Sequence, residues 1–225
     1  MGEFSAACCA GVLTLEQTLA AVVARGRIME AIRADGQMLA VLAEEEQLLP
    51  LLDGCSGVTV AARNSPRSTV LSVDASQADN VKALLDSAGL AVFPVNPHYA
   101  FHGPQIERLS DPLRAAFRDL QPVDSPLMVA SATLGDIIEG RRMDAHYWAA
   151  NARRPVQFSS AIARLLDAGI DDFFGNRARR HADAAYQSMC AKERTPGTGR
   201  GVVATRQTAV SVVAGGRRAA VFLGP

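Results

Sequence analysis

Residues 58–96 read VTVAARNSPRSTVLSVDASQADNVKALLDSAGLAVFPVN. Two β-rich runs, VTVAARNS (58–65) and STVLSVDA (68–75), suit strands around a turn at Asn64, Ser65, Pro66 and Arg67. SQADNVKALLDSAG (76–89) opens on a Ser cap and stops at Gly89, which predicts a helix. LAVFPVN (90–96) reads as a further strand. Just upstream, MLAVLA (38–43) suits a strand and EEEQLLPLLDG (44–54) a short helix. The order is β-α-β-β-α-β, the ferredoxin-like arrangement. It occupies residues 37–97 and reads as an insert, because different periodicities flank it on both sides.

On the upstream side, residues 3–35 carry apolar residues at three- and four-residue steps, which predicts helix with a break near Gly11. Thr14 with Gln17 three positions on has the form of a capping box for the second helix. Downstream, 103–120 predicts one helix and 127–138 a strand and a turn. Residues 144–169 read as a loop leading into a helix, and IDDFF (170–174) as the start of a strand. The chain has 225 residues, 48% of them hydrophobic, enough for one large domain or two small ones. No apolar run approaches 18 residues, so a soluble, cytoplasmic protein without membrane contact is expected. Cys8, Cys9, Cys55 and Cys190 show no C-x-x-C spacing and are expected to be free, mostly buried thiols.

Three further stretches carry chemistry together. GEFSAACCAGVLTLEQTLAAVVARGRIM (2–29), HYAFHGPQIERL (98–109) and YWAANARRPVQFSSAI (147–162) stand in this order. The first resembles the segment that follows the nucleophile in malonyl-CoA:acyl-carrier-protein transacylases, above all the acyltransferase domains of polyketide synthases. Met1-Gly2-Glu3 resembles the last three residues of that family's Gly-His-Ser-x-Gly-Glu elbow. The second is similar to its Ala-Phe-His or Ala-Ser-His motif, and the third to its Tyr-Trp…Asn…Arg-x-Pro-Val-x-Phe signature. The resemblance covers residues 1–174. It implies an α/β fold: part of an α/β-hydrolase-like large subdomain (1–36 and 98–174, nucleophile elbow missing), with the ferredoxin-like small subdomain (37–97) inserted.

The resemblance also implies an activity. A serine attacks an acyl-CoA thioester, and the acyl group passes to the phosphopantetheine of an acyl carrier protein by ping-pong transfer. No metal and no bound cofactor are implied. A serine hydroxyl needs an adjacent base near neutral pH, and by resemblance that base is His102. His98 and His146, which lack such a context, read as loop residues. Arg25 corresponds to the arginine that binds the free carboxylate of a malonyl group; a planar guanidinium holds a carboxylate with two parallel bonds. Arg27 and Arg33 read as solvated helix residues. Phe101 leaves little room for an α-methyl branch and favours malonyl-CoA, whereas Tyr99 is the residue of the methylmalonyl-CoA pattern. Asn64 resembles a residue lining the cleft, although a turn explains it equally well. The implied partners are a carrier protein and other synthase domains.

Two features set limits. The catalytic serine is expected immediately before Met1, so the chain reads either as part of an acyltransferase or as a catalytically dead remnant that binds a carrier protein or CoA. A large part lacking central strands is expected to expose an apolar face. The other feature is charge. Residues 1–174 hold 14 Lys+Arg and 21 Asp+Glu, whereas 175–225 hold 9 and 2. A basic tail can serve nucleic acid, but no aromatic interleaving accompanies it, and nucleic-acid binding is not expected. Read one base out of register, GNRARRHADA (175–184) can encode Glu-Ile-Gly-Pro-Asp-Ala-Thr-Leu, the continuation the family has after this strand. The tail is therefore expected to be frameshifted or disordered.

Overall fold

The computed structural model describes residues 1–32, 36–96 and 99–170, together with strand segments at 175–176, 204–205, 211–215 and 218–222. The chain opens with helix α1 (Gly2–Cys9). Gly11 (φ +75°) turns it into α2 (Leu15–Met29). The capping box is formed: Gln17 N donates to Thr14 Oγ1 (3.2 Å) and Thr14 N to Gln17 Oε1 (3.1 Å). A 3-10 turn (Glu30–Ile32) leads out of α2.

Next come β1 (Gly36–Val41), α3 (Glu45–Leu52), β2 (Val58–Ser65), β3 (Ser68–Asp74), α4 (Ala78–Ser87) and β4 (Val92–Asn96). The four strands form one sheet in the order β2-β3-β1-β4, antiparallel throughout, with Leu39 opposite Leu71 and Leu71 opposite Val60. Side chains alternate between its faces. Leu39, Val41, Leu71 and Val73 point to one face, where Leu48, Val81 and Leu85 from the helices close a core. Each fully buried leucine contributes about 2–3 kcal/mol. Met38, Ala40, Ala62 and Val70 form a cluster with Ala61, against which Phe101 and Val156 pack. This second face explains why β3 is buried almost end to end.

A 3-10 segment (Pro104–Leu109) leads into α5 (Ser110–Phe117), then β5 (Met128–Ser131), β6 (Asp136–Ile138), α6 (Ala145–Arg153) and α7 (Phe158–Asp167). Phe4 stacks on Trp148 (centroids 3.8 Å apart) and lies 5.9 Å from Phe117; Ile106, Leu113 and Met143 complete this core. Gly140 is required where the chain crosses Val123, because a Cβ would come within 2.2 Å of the Val123 carbonyl oxygen. In the C-terminal region β7 (Gly175–Asn176) pairs with β8 (Ala204–Thr205), and β9 (Ser211–Gly215) forms a hairpin with β10 (Arg218–Phe222). β10 lies parallel to β5, with Ala220 opposite Met128.

Several expectations change. The helix expected over 103–120 divides into a 3-10 segment and a shorter α-helix, with Pro112 in the first turn, where a missing N–H costs little. The loop expected from 144 is helix α6, because the Asp144 carboxylate accepts from Tyr147 N (2.9 Å) and caps it. His146 is therefore an exposed helix residue rather than a loop residue. Ser76 lies in a 3-10 turn and caps nothing. Cys8 and Cys55 are half-buried and Cys9 is exposed, so the described thiols are not buried as expected; Cys190 lies outside the described residues. The strand expected at 170–174 lies outside the described residues after Ile170. The tail was expected to lack a fold; its described part contains the β9–β10 hairpin, and the rest lies outside the described residues. α2 carries an apolar stripe in solvent, with Leu15, Leu19 and Val23 each more than half exposed.

Candidate active site

His102 stands just after the buried Ala100 with φ +60°, a left-handed conformation that costs a non-glycine residue about 1 kcal/mol. That conformation turns the ring toward the segment between α6 and α7. His102 Nδ1 lies 2.8 Å from the Arg154 carbonyl oxygen. A carbonyl only accepts, so Nδ1 carries the proton and Nε2 presents its lone pair. Burial, then the charge of Arg25, pushes the imidazole down to about 4, against a smaller upward effect of the Arg154 bond and a further push down from the Met1 amine. The ring is neutral at pH 7, as a general base must be before reaction.

The segment that holds the ring is itself held at two places. Val156 N donates to Ala61 O (2.8 Å) and Arg63 N donates to Val156 O (2.8 Å), so Val156 bridges in parallel to β2. Gln157 N donates to Ala132 O (2.6 Å) just beyond β5. Arg154, Pro155 and Val156 thus tie the antiparallel sheet to the rest of the chain, and His102 is bonded to that tie.

Arg25 is on α2 and buried, with 7% of its surface exposed. Its Nη1 donates to Asn151 Oδ1 (3.2 Å) and lies 3.8 Å from Met1 Sδ. Burial lowers its guanidinium to about 10, with Glu3 acting in the opposite direction, so it remains charged at neutral pH. Beneath it, Glu3 accepts from Asn151 Nδ2 (2.7 Å), Thr133 Oγ1 (3.0 Å) and the Tyr147 hydroxyl. Burial and the adjacent carboxylate raise the Tyr147 phenol, which stays protonated and donating.

The five residues singled out in the sequence do not all meet. The charge of Arg25 reaches His102. Tyr99 and Phe101 stack on one another (4.9 Å, 12° between planes), and Tyr99 OH donates to Glu30 Oε2 (2.7 Å) at the end of α2. Phe101 packs against both cores that border the site. Asn64 lies within β2 rather than in the turn; its Oδ1 is buried without a hydrogen-bond partner and makes no bond to the others. Sequence reasoning did not single out Glu3, Thr133 or Arg154. Glu3 and Arg154 stand inside the quoted motifs, whereas nothing local marks Thr133.

The acyl transferase domain family matches residues 1–174, and the chain belongs to that family. It is 36% identical over 176 residues to erythronolide synthase EryA2 of Saccharopolyspora erythraea, covering 76% of this chain and 5% of that protein. The acyltransferase domain of phenolphthiocerol/phthiocerol synthase A from Mycobacterium bovis (BCG) superposes with a TM-score of 0.82 at 27% identity, over 92% of this chain and 80% of that one. The acyltransferase domain from the second module of the salinomycin polyketide synthase gives 0.76 at 31% identity, over 86% and 46%. The chain therefore spans a small part of the full-length synthases it matches. It is an α/β protein of the polyketide synthase acyltransferase type. Among the described residues, no helix is long and apolar enough to cross a membrane.

Proposed function

We propose that the chain is part of an acyltransferase that moves a malonyl-type acyl group from CoA to the phosphopantetheine of a carrier protein. In this reading residues 37–97 are the ferredoxin-like small subdomain, and 1–36 with 98–174 belong to an α/β-hydrolase-like large subdomain. The observation that carries the proposal is the His102–Arg154 bond, which leaves Nε2 as a base beside a buried, charged Arg25. The nucleophile is a serine one position ahead of Met1. Met1 Sδ lies 3.8 Å from Arg25 Nη1, so a residue joined to Met1 would stand near the buried guanidinium. His102 Nε2 takes the serine proton as the oxygen attacks the thioester, and returns a proton to the departing CoA thiolate. The same two steps in reverse load the carrier thiol. Arg25 pairs with the free carboxylate of the diacid. Phe101 favours malonyl over a branched acyl group.

A second reading is that the 225-residue chain acts only as a carrier-protein- or CoA-binding remnant. Malonyl-CoA labelling followed by intact-mass measurement separates the two. It is run on this chain and on a form extended upstream through the family's Gly-His-Ser. A malonyl adduct on the extended form alone, lost in His102→Ala, is expected. Labelling of neither form would remove the acyltransferase reading, and labelling of the short chain would displace the nucleophile from its assigned place.

A further inference from the structure

Glu3 and Arg25 are both buried, 6% and 7% exposed, and carry opposite charges, yet they do not pair. Among the described residues Glu3 has no salt-bridge partner, and its oxygens are filled by Tyr147, Thr133 and Asn151. One amide stands between the two charges. Asn151 Nδ2 can only donate, and it faces two acceptors, Glu3 Oε2 (2.7 Å) and Thr133 Oγ1 (2.9 Å). That sets the amide, so Oδ1 must face Arg25 Nη1. Nε and Nη2 of Arg25 have no hydrogen-bond partner among the described residues.

A direct carboxylate–guanidinium contact would be bidentate and would occupy the fork. An amide spacer does something different. It leaves the compensating negative charge nearby, which keeps the buried guanidinium tolerable, and it uses only one N–H. We propose that Asn151 is a positioning residue that holds Glu3 off Arg25, keeping the arginine fork open for the free carboxylate of a diacid acyl group. The inference rests on the reading of Arg25 as the carboxylate-binding residue. It makes preference for diacids over monoacids a property of the Glu3–Asn151 arrangement as well as of Arg25.

The test exchanges the two groups. Glu3→Gln combined with Asn151→Asp keeps the size, the net charge and the number of carboxylates, but moves the carboxylate onto Arg25. Isothermal titration of the full chain with malonyl-CoA and acetyl-CoA gives the preference for the diacid. The exchange is expected to reduce that preference by about 10-fold or more while acetyl-CoA affinity changes less than about 2-fold. A merely structural role would weaken both ligands together or neither. Preference retained in the exchanged protein would overturn the proposal. If the exchanged protein does not fold, as judged by circular dichroism, Asn151→Ala replaces it under the same criterion. Arg25→Ala is the control on the underlying reading. If it leaves the preference intact, the assignment of Arg25 fails. If it abolishes the preference while the exchange does not, only the role given to Asn151 fails.

Discussion

At the residue scale, the neutrality of His102 follows from where its ring is placed. Burial and the Arg25 charge both disfavour the imidazolium. In the unfolded chain the ring titrates near 6.5, and in the folded chain near 4. Between those values the unfolded chain binds the extra proton, so the stability tied to this group is present above about 6.5 and is lost as pH falls toward 4. Nitrogen-15 NMR of the ring should show one tautomer, protonated at Nδ1, from pH 7 to about 5. Arg25→Ala should move its titration upward, because one of the depressing causes is removed. Titration near 6.5 in the wild-type chain would contradict the placement of the ring. Glu3 belongs to the same scale: three donors converge on it, and after burial its carboxylate is the next cause that raises the Tyr147 phenol.

At the element scale, the decisive piece is the tie at Arg154, Pro155 and Val156. It is too short to be a strand, yet it bonds to β2 on one side and to the end of β5 on the other. Its backbone carbonyl does the work that a carboxylate does in a triad, fixing the tautomer. Val156→Pro removes the N–H that reaches Ala61. The change should cost about 1–2 kcal/mol in urea unfolding and speed exchange of the Arg63 amide. It should also let His102 populate both tautomers, which NMR would report. Loss of stability with the ring unchanged would show that the tie matters only for folding. The helices around it were unequally legible. Thr14 and Gln17 announce α2 through an i, i+3 pattern, and the structure contains both bonds. Asp144 is an equally good cap, yet residues from 144 on read as a loop; the cap and the burial of Tyr147 and Trp148 in the core with Phe4 together account for α6. Packing decided there what local propensity left open.

At the scale of the whole molecule, the family match ends at residue 174, where the charge balance turns from acidic to basic. We interpret 175–225 as a region read out of frame. Resequencing the coding DNA through codon 190 should find one extra base near codon 175, and the corrected frame should continue Glu-Ile-Gly-Pro. DNA that matches the chain as given would establish the tail as native. In that case the hairpin Ser211–Phe222 beside β5 would be part of the fold.

What the sequence by itself determined is local and periodic. β-rich runs and turn residues marked the four strands within 37–97, the three- and four-residue steps marked α2, and the motif resemblance nominated His102 and Arg25. These are legible because each is encoded within a few positions. The tertiary structure alone decided which groups meet. Glu3 reaches Asn151 across 148 positions, Thr133 enters only because β5 ends beside α1, and Arg154 contributes its carbonyl rather than its side chain. A backbone oxygen is the same at every position, and a long-range hydrogen bond leaves no mark on its neighbours in sequence. The motifs could therefore nominate His102 and Arg25, but they could not give the hydrogen bonds around them.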